Sequence, residues 1–274
     1  MNNLRPLIQI ADKLAPSWTA NLAYKFLTNP RFHKLRPFEK EAIAKAEKED
    51  IPILGFQIRT YKWTGGDKKI LLIHGWEGQG GNFGMLIAPL QALGYTVYAF
   101  DGPSHGFSSK GKTSLFEFGE VVAALFKRFQ VQDAISHSFG SVATSFALWN
   151  HRDIAIQKLI MITTPDRFED RVKDVSQLVG VSDRTQKRLM DRIARETGYD
   201  PYDLAVSTYS NDLNVQEALI IHDQDDRVIP IAQSQSVADT WKVARLVKIA
   251  NTGHFRILRD EQTVKLVESF LVSG

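Results

Sequence analysis

A parallel α/β sheet covered by helices on both faces is the fold class that this sequence predicts. From Leu54 onward, apolar runs of strand length alternate with segments of helical periodicity. Several runs, such as Ile70–Ile73 and Leu159–Ile162, are continuously apolar, as strands buried on both faces are. The strand–helix rhythm stops between Thr163 and Asn214, where a charged, helical stretch reads as an insertion between two core strands.

The elements follow in order. In residues 1–50, Leu4, Leu7, Ile8, Ile10, Ala11 and Leu14 recur at helical spacing, Trp18 to Leu27 continues the pattern, and Glu39 to Glu49 reads as a charged helix. Residues 1–53 are thus expected as a helical N-terminal extension and 54–274 as the α/β domain, with the insertion at about 164–214. Phe56–Trp63 alternates like a half-buried strand. Strands are then expected at Lys69–Ile73, Thr96–Phe100, Val131–Ile135, Lys158–Ile162, Ala218–Ile221 and Leu246–Ile249. Helices are expected at Leu86–Leu93, Phe116–Phe129, Gly140–Trp149 and Val264–Leu271.

Composition narrows the function classes. The chain has 274 residues, 43% of them hydrophobic and 24% charged, and no Cys. That excludes a disulfide scaffold, a thiolate zinc site and a Cys nucleophile. The seven His residues are scattered and Cys is absent, so no metal is expected, and the chemistry read below needs no cofactor. A net charge of +3 does not by itself imply nucleic acid. No run approaches the ~20 apolar residues of a membrane span. The N-terminal apolar stretch is broken by Asp12 and Lys13 and does not read as a secretory leader. A cytoplasmic protein is expected. The basic residues Lys13, Lys25, Arg31, Lys34 and Arg36 allow membrane-surface contact by the N-terminal helices; packing of those helices on the core is the favoured expectation.

The chemistry concentrates at Ala134-Ile-Ser-His-Ser-Phe-Gly-Ser141, where a strand leads in and a helix leads out. A nucleophile at such a turn projects from a sharp, strained backbone, so the positions two before and two after must be small. Gly140 meets this fully, whereas Ser136 is small but not Gly. Serine needs a base, usually His, oriented by a carboxylate. His254 stands beside Gly253 after the last strand, and Asp223, Asp225 and Asp226 follow the strand before it. Those positions lie at carboxyl ends of strands, where open parallel sheets place their sites. Ile73-His-Gly-Trp-Glu-Gly78 can aim the Trp76 N–H at the same point as the Phe139 N–H, making two oxyanion donors.

Taken in order, these features resemble the α/β-hydrolase fold family. The resemblance rests on His74-Gly75, the Ser136-x-Ser138-x-Gly140 turn, Asp226-x-x-Ile229-Pro230 and Gly253-His254. Phe100-Asp-Gly-Pro-Ser-His-Gly-Phe-Ser108 adds the family's loop after the next strand, with Ser104 where Gly is common. The resemblance covers roughly residues 54–274. It implies an α/β-hydrolase fold with a helical cap, Ser138 as nucleophile, His254 as base and Asp226 as its orienter, since the family's acid stands four before the proline. It also implies Trp76 and Phe139 as backbone oxyanion donors, with His74, Gly75, His137 and Phe255 against the substrate. His105 and His222 are expected to be structural. Trp76, Phe83, Phe139, Tyr209 and Phe255 are candidates for a pocket wall or for core.

The expected activity is hydrolysis of a small-molecule ester or thioester through an acyl-enzyme. Alternatives are an amide or carbon–carbon bond on the same machinery, or a non-catalytic binding protein of this fold. Val175–Leu189 also resembles a helix-turn-helix, with Gly180 at the turn and Ser182 as N-cap. The acidic residues Glu169, Asp170, Asp174, Asp183 and Asp191 dilute its positive field, so no nucleic-acid partner is expected. As a cap, Val175, Leu178, Val179, Leu189, Met190 and Ile193 would face the sheet or the substrate.

Overall fold

The computed structural model describes residues 5–31 and 34–273; Leu4 of the N-terminal pattern lies outside them. Among the described residues, eight strands form one sheet: β1 (Glu47–Ile53), β2 (Phe56–Trp63), β3 (Lys68–Ile73), β4 (Tyr95–Phe100), β5 (Asp133–His137), β6 (Ile156–Ile162), β7 (Val215–Asp223) and β8 (Ala244–Ile249). Their order is β1-β2-β4-β3-β5-β6-β7-β8. β1 and β2 pair antiparallel, as do β2 and β4. Every other pairing is parallel. The predicted fold class is therefore the one observed.

The helices are α1 (Arg5–Leu14), α2 (Pro16–Thr28), α3 (Pro37–Ala44), α4 (Gly84–Ala92), α5 (Leu115–Phe129) and α6 (Phe139–Asn150), then α7 (Phe168–Val179), α8 (Asp183–Thr197), α9 (Val206–Tyr209), α10 (Ile231–Thr240), α11 (Gly253–Arg256) and α12 (Glu261–Val272). Successive strand residues point to opposite faces, and the two faces build two cores. Leu71, Ala134, Leu159, Met161 and Ile220 pack with Phe118, Phe146 and Trp241 on one side. Ile70, Leu72, Ile135, Ile160 and Leu219 pack with Leu86, Leu90 and Phe270 on the other. Burial on both sides is why these strands read as unbroken apolar runs. Among the described residues, no helix is long and apolar enough to cross a membrane.

Two expectations need correction. The helix expected at Glu39–Glu49 ends at Ala44, and Glu47–Ile53 is an edge strand of the sheet. The 53/54 boundary thus falls in the hairpin between β1 and β2, where Leu54 and Gly55 both have positive φ. The sequence hides β1 because its residues 47–50 are exposed and charged. Such residues, and Pro52, are tolerated on an edge, where one side of the ladder is unpaired.

The second correction concerns the insertion. Val172, Val175, Val179, Leu189, Met190 and Ile193 do not face the sheet; they form a separate cluster with Ala23, flanked by Ile8, Leu22, Phe26 and Leu27. The N-terminal helices and the α7–α8 hairpin therefore share one small core of their own. Gly180 ends α7 in the left-handed conformation, and the Ser182 hydroxyl accepts from the Thr185 N–H to start α8. Asp12, buried in α1, accepts from the Ser182 N–H (3.0 Å) and the Thr19 hydroxyl (2.6 Å). Arg192 of α8 donates to Asn21 and stacks on the Tyr24 ring of α2. One face of the second helix of the helix-turn-helix look-alike is thus packed against α2. Leu178 of the apolar set is exposed; it and Val175 line one cavity and Ile193 another, so part of the set does face cavity space.

Leu189→Ala is expected to lower stability by about 2–5 kcal/mol, the usual range for truncating a buried Leu. Because the same cluster seats α1 and α2, limited proteolysis of that variant should cut within residues 5–31 faster than in the wild type. Wild-type protection at those sites in the variant would contradict the shared core.

Candidate active site

The turn from β5 into α6 is what lifts Ser138 out of the sheet. Ser138 has φ 53° and ψ −124°, a conformation that non-glycine residues rarely hold. Its N–H donates to the Ile162 carbonyl (2.9 Å), and its carbonyl accepts from the Ser141 N–H (2.8 Å). Gly140 permits the close approach of α6 to β3. A Cβ there would lie 2.5 Å from the carbonyl oxygens of both Ile73 and His74. Ser136, in place of the common Gly, is accommodated without positive φ. Its buried hydroxyl lies 3.0 Å from Ser141 Oγ and 3.3 Å from the Ile160 carbonyl. Ser104, the other departure, adopts a left-handed φ of 66°.

Three loops at the carboxyl ends of β5, β7 and β8 converge here. His254 Nε2 is 3.0 Å from Ser138 Oγ, and His254 Nδ1 is 2.8 Å from Asp226 Oδ2. The other oxygen of Asp226 accepts from the N–H groups of Val228 (2.7 Å) and Ile229 (3.0 Å). Burial pushes the Asp226 carboxyl up. The hydrogen bond and charge of His254 and those two backbone donors outweigh it, so the group sits below the usual carboxylate range.

The neighbouring aspartates separate by position. Asp225 is exposed. Asp223 is buried and clamps the loop that carries His254, accepting from the Thr252 hydroxyl (2.6 Å) and the Gly253 N–H (2.8 Å). Only Asp226 reaches the imidazole.

The other histidines support the loops. His137 donates from Nε2 to the His254 carbonyl (2.9 Å). His222 is bound by Ser234 (2.6 Å) and the Ile229 carbonyl (3.0 Å). His105 binds the Pro103 carbonyl through Nδ1. His74, expected against the substrate, is instead tied on both ring nitrogens. Nε2 accepts from the Gly102 N–H (2.8 Å), and Nδ1 bonds the Gly75 carbonyl (2.7 Å). It does not line the cavity. Its role is to join the loop after β3 to the loop after β4. In that second loop Asp101 is the anchor, accepting from the N–H groups of Gly80 and Phe107 and from the Tyr61 hydroxyl. Nothing in the local sequence marked Asp101, because its partners come from separate elements.

Ser138 and His254 open onto a cavity of about 730 Å³. Gly75, Trp76, His137, Phe139 and Phe255 line it. Phe83 and Tyr209 belong to the core instead. The Phe139 N–H begins α6, and neither it nor the Trp76 N–H has an acceptor among the described residues. The Trp76 and Phe139 rings meet edge to face at 5.2 Å. α7 roofs the cavity through Phe168, Arg171, Asp174, Val175 and Leu178, while Phe26, Arg31 and Phe38 come from the N-terminal segment. The sequence marked Val175 and Leu178 of this lining as facing the sheet or the substrate, and carried no signal for Phe168, Arg171 or Phe38. Arg31 forks onto Glu77 (2.8 and 3.0 Å), tying that segment to the loop after β3.

The comparisons concern the fold. A family model described as the alpha/beta hydrolase fold matches residues 68–195. No curated protein sequence matches the chain. Among solved structures, Est1E of Butyrivibrio proteoclasticus with ferulic acid bound superposes with a TM-score of 0.63 at 18% identity, covering 80% of this chain and 96% of that one. The thioesterase domain of the curacin biosynthetic pathway gives 0.58 at 18% identity, covering 83% and 99%. A membrane phospholipase A, described as a bacterial virulence factor, gives 0.63 at 16% identity, covering 98% and 96%.

Burial depresses the pKa of His137 to about 3 and of His105 to about 4, from an ordinary 6.5. Both rings should stay neutral in histidine NMR spectra down to those values; a His137 midpoint near 6.5 would contradict its burial. The unfolded chain takes up these protons first, so the stabilisation from both groups is complete above about pH 6.5 and is lost as pH falls toward 4 and 3. Denaturant titrations at pH 7 and pH 5 would detect that loss. These strands, loops and comparisons together identify the chain as one with the α/β-hydrolase fold.

Proposed function

We propose that the protein is a serine hydrolase cleaving carboxylic esters or thioesters through an acyl-enzyme. The reading rests on one observation: the hydrogen-bonded line from Ser138 Oγ through His254 Nε2 and Nδ1 to Asp226. Asp226 accepts from Nδ1–H, which leaves Nε2 as a proton acceptor facing the serine. Ser138 attacks the substrate carbonyl as its proton passes to His254. The oxyanion that forms is met by the N–H groups of Trp76 and Phe139. His254 then gives its proton to the leaving oxygen or sulfur. The same histidine activates the water that cleaves the acyl-enzyme.

Asp226 holds the imidazole and stabilises its charged form. Gly75, His137 and Phe255 border the reacting centre, and the helical insertion at about 164–214 acts as the cap that bounds the substrate. The N-terminal helices brace that cap through their shared core. The ester or thioester class is supported by the likeness to Est1E and to the thioesterase domain, and by a largely apolar wall beside a serine.

Labelling with a fluorophosphonate, followed by peptide mapping, tests the assignment. The adduct should form on Ser138 and disappear in His254→Ala. Ser138→Ala should lower kcat on an activated ester by about 10⁴-fold or more, and Asp226→Asn by about 10⁴-fold with KM little changed. Asp225→Asn should stay near wild type. A labelled serine elsewhere, or an Asp226→Asn enzyme of full activity, would overturn the triad.

A further inference from the structure

A second cavity, of about 310 Å³, adjoins the one that holds Ser138. Trp76, Phe139, Phe168 and Arg171 line both. Arg171, one turn into α7, therefore stands where the two cavities meet, on a wall shared with the residues that flank the nucleophile. Its side chain is packed about by protein, and burial pulls its pKa below the usual arginine value. It is nevertheless exposed, and it lines both cavities.

Among the described residues Arg171 makes no hydrogen bond and no ion pair. Three of the other cations that line the cavities are paired, while Lys34, Arg36 and Arg259 also line the larger one. Arg31 forks onto Glu77, Arg167 pairs with Glu169, and Lys112 pairs with Glu196. A guanidinium whose five donors meet no partner among the described residues can offer them to a ligand in the cavities. Asp174 and Glu77 act on Arg171 through charge alone. They offset part of its field, which suits a singly charged guest better than a doubly charged one. A planar carboxylate matches the guanidinium fork with two parallel hydrogen bonds. The rest of the smaller cavity is mainly apolar, with Leu27, Leu115, Phe116 and Ile193 in its wall.

We infer that the substrate carries a carboxylate, and that Arg171 binds it while an apolar spacer places the scissile carbonyl at Ser138. Arg171 is thus a specificity-determining residue from the cap. The inference rests on the serine hydrolase reading above, but the two can fail separately.

The test compares matched esters. Mono-p-nitrophenyl adipate against p-nitrophenyl hexanoate places the charge on the acyl side. The hexanoyl ester of 4-hydroxybenzoate against phenyl hexanoate places it on the leaving side. In at least one pair, wild type should favour the anionic ester in kcat/KM. Arg171→Gln should collapse that ratio at least tenfold, chiefly through KM, and Arg171→Lys should keep part of it. No preference in either pair, or an equal loss on charged and neutral esters, overturns the inference.

Calorimetry on full-length Ser138→Ala protein, with and without Arg171→Gln, reads binding without turnover. At least tenfold weaker binding of the anionic ester in the double variant supports the carboxylate site even if no ester is hydrolysed. Equal binding overturns it.

Discussion

The site depends on one backbone constraint, the positive φ of Ser138 between β5 and α6. A parallel sheet delivers its strands to a common edge, but a side chain in a regular strand would point into one of the two cores. The reversal at Ser138 turns its hydroxyl toward the loops that follow β7 and β8 instead. Holding that reversal requires α6 to press against β3, which is why residue 140 has no room for a side chain. The strain is held by the surrounding ladder: the carboxyl halves of the neighbouring strands β3 and β6 are buried, and the Ser138 N–H is bonded to β6.

Around this turn, polar groups work in layers. His254 meets Ser138, Asp226 meets His254, and the backbone of residues 228 and 229 meets Asp226. A second layer fixes the loops themselves. Asp223 clamps the His254 loop, His137 holds the His254 carbonyl, and His74 and Asp101 bind the loops after β3 and β4 together. Each of these buried groups has hydrogen-bond partners, so the low dielectric strengthens the contacts rather than penalising the groups. Two nearby aspartates that look alike in sequence thus do different work, one on the imidazole and one on its loop.

Above the sheet, the architecture departs from a simple lid on a core. The α7–α8 hairpin is seated on α1 and α2 through a hydrophobic cluster separate from the two that sandwich the sheet. The roof of the cavity therefore has its own foundation, and Asp12 reaching Ser182 joins the two parts at a helix start. Roof residues such as Arg171 can then present charge to a cavity without disturbing the main core.

The sequence alone determined the sheet and its alternation with helices and marked Ser138 and His254 as candidates, because local signals carry them, whereas choosing Asp226 over Asp223 and Asp225 took the family resemblance. Burial on both faces leaves unbroken apolar runs, and a strained turn demands small neighbours. Gly180 and Ser182 were legible for the same reason, since helix ends are local chemistry. Tertiary structure alone decided what depends on distant partners. β1 is a strand because β2 pairs with it, although its exposed charged residues say otherwise. His74 became a tie between loops because Gly102 comes to meet it. The apolar face of the insertion turned to the N-terminal helices, since periodicity reports that a face is buried and not against what. Arg171 carried no mark in the sequence: its meaning lies in the two cavities it joins, and a cavity exists only once the chain has folded.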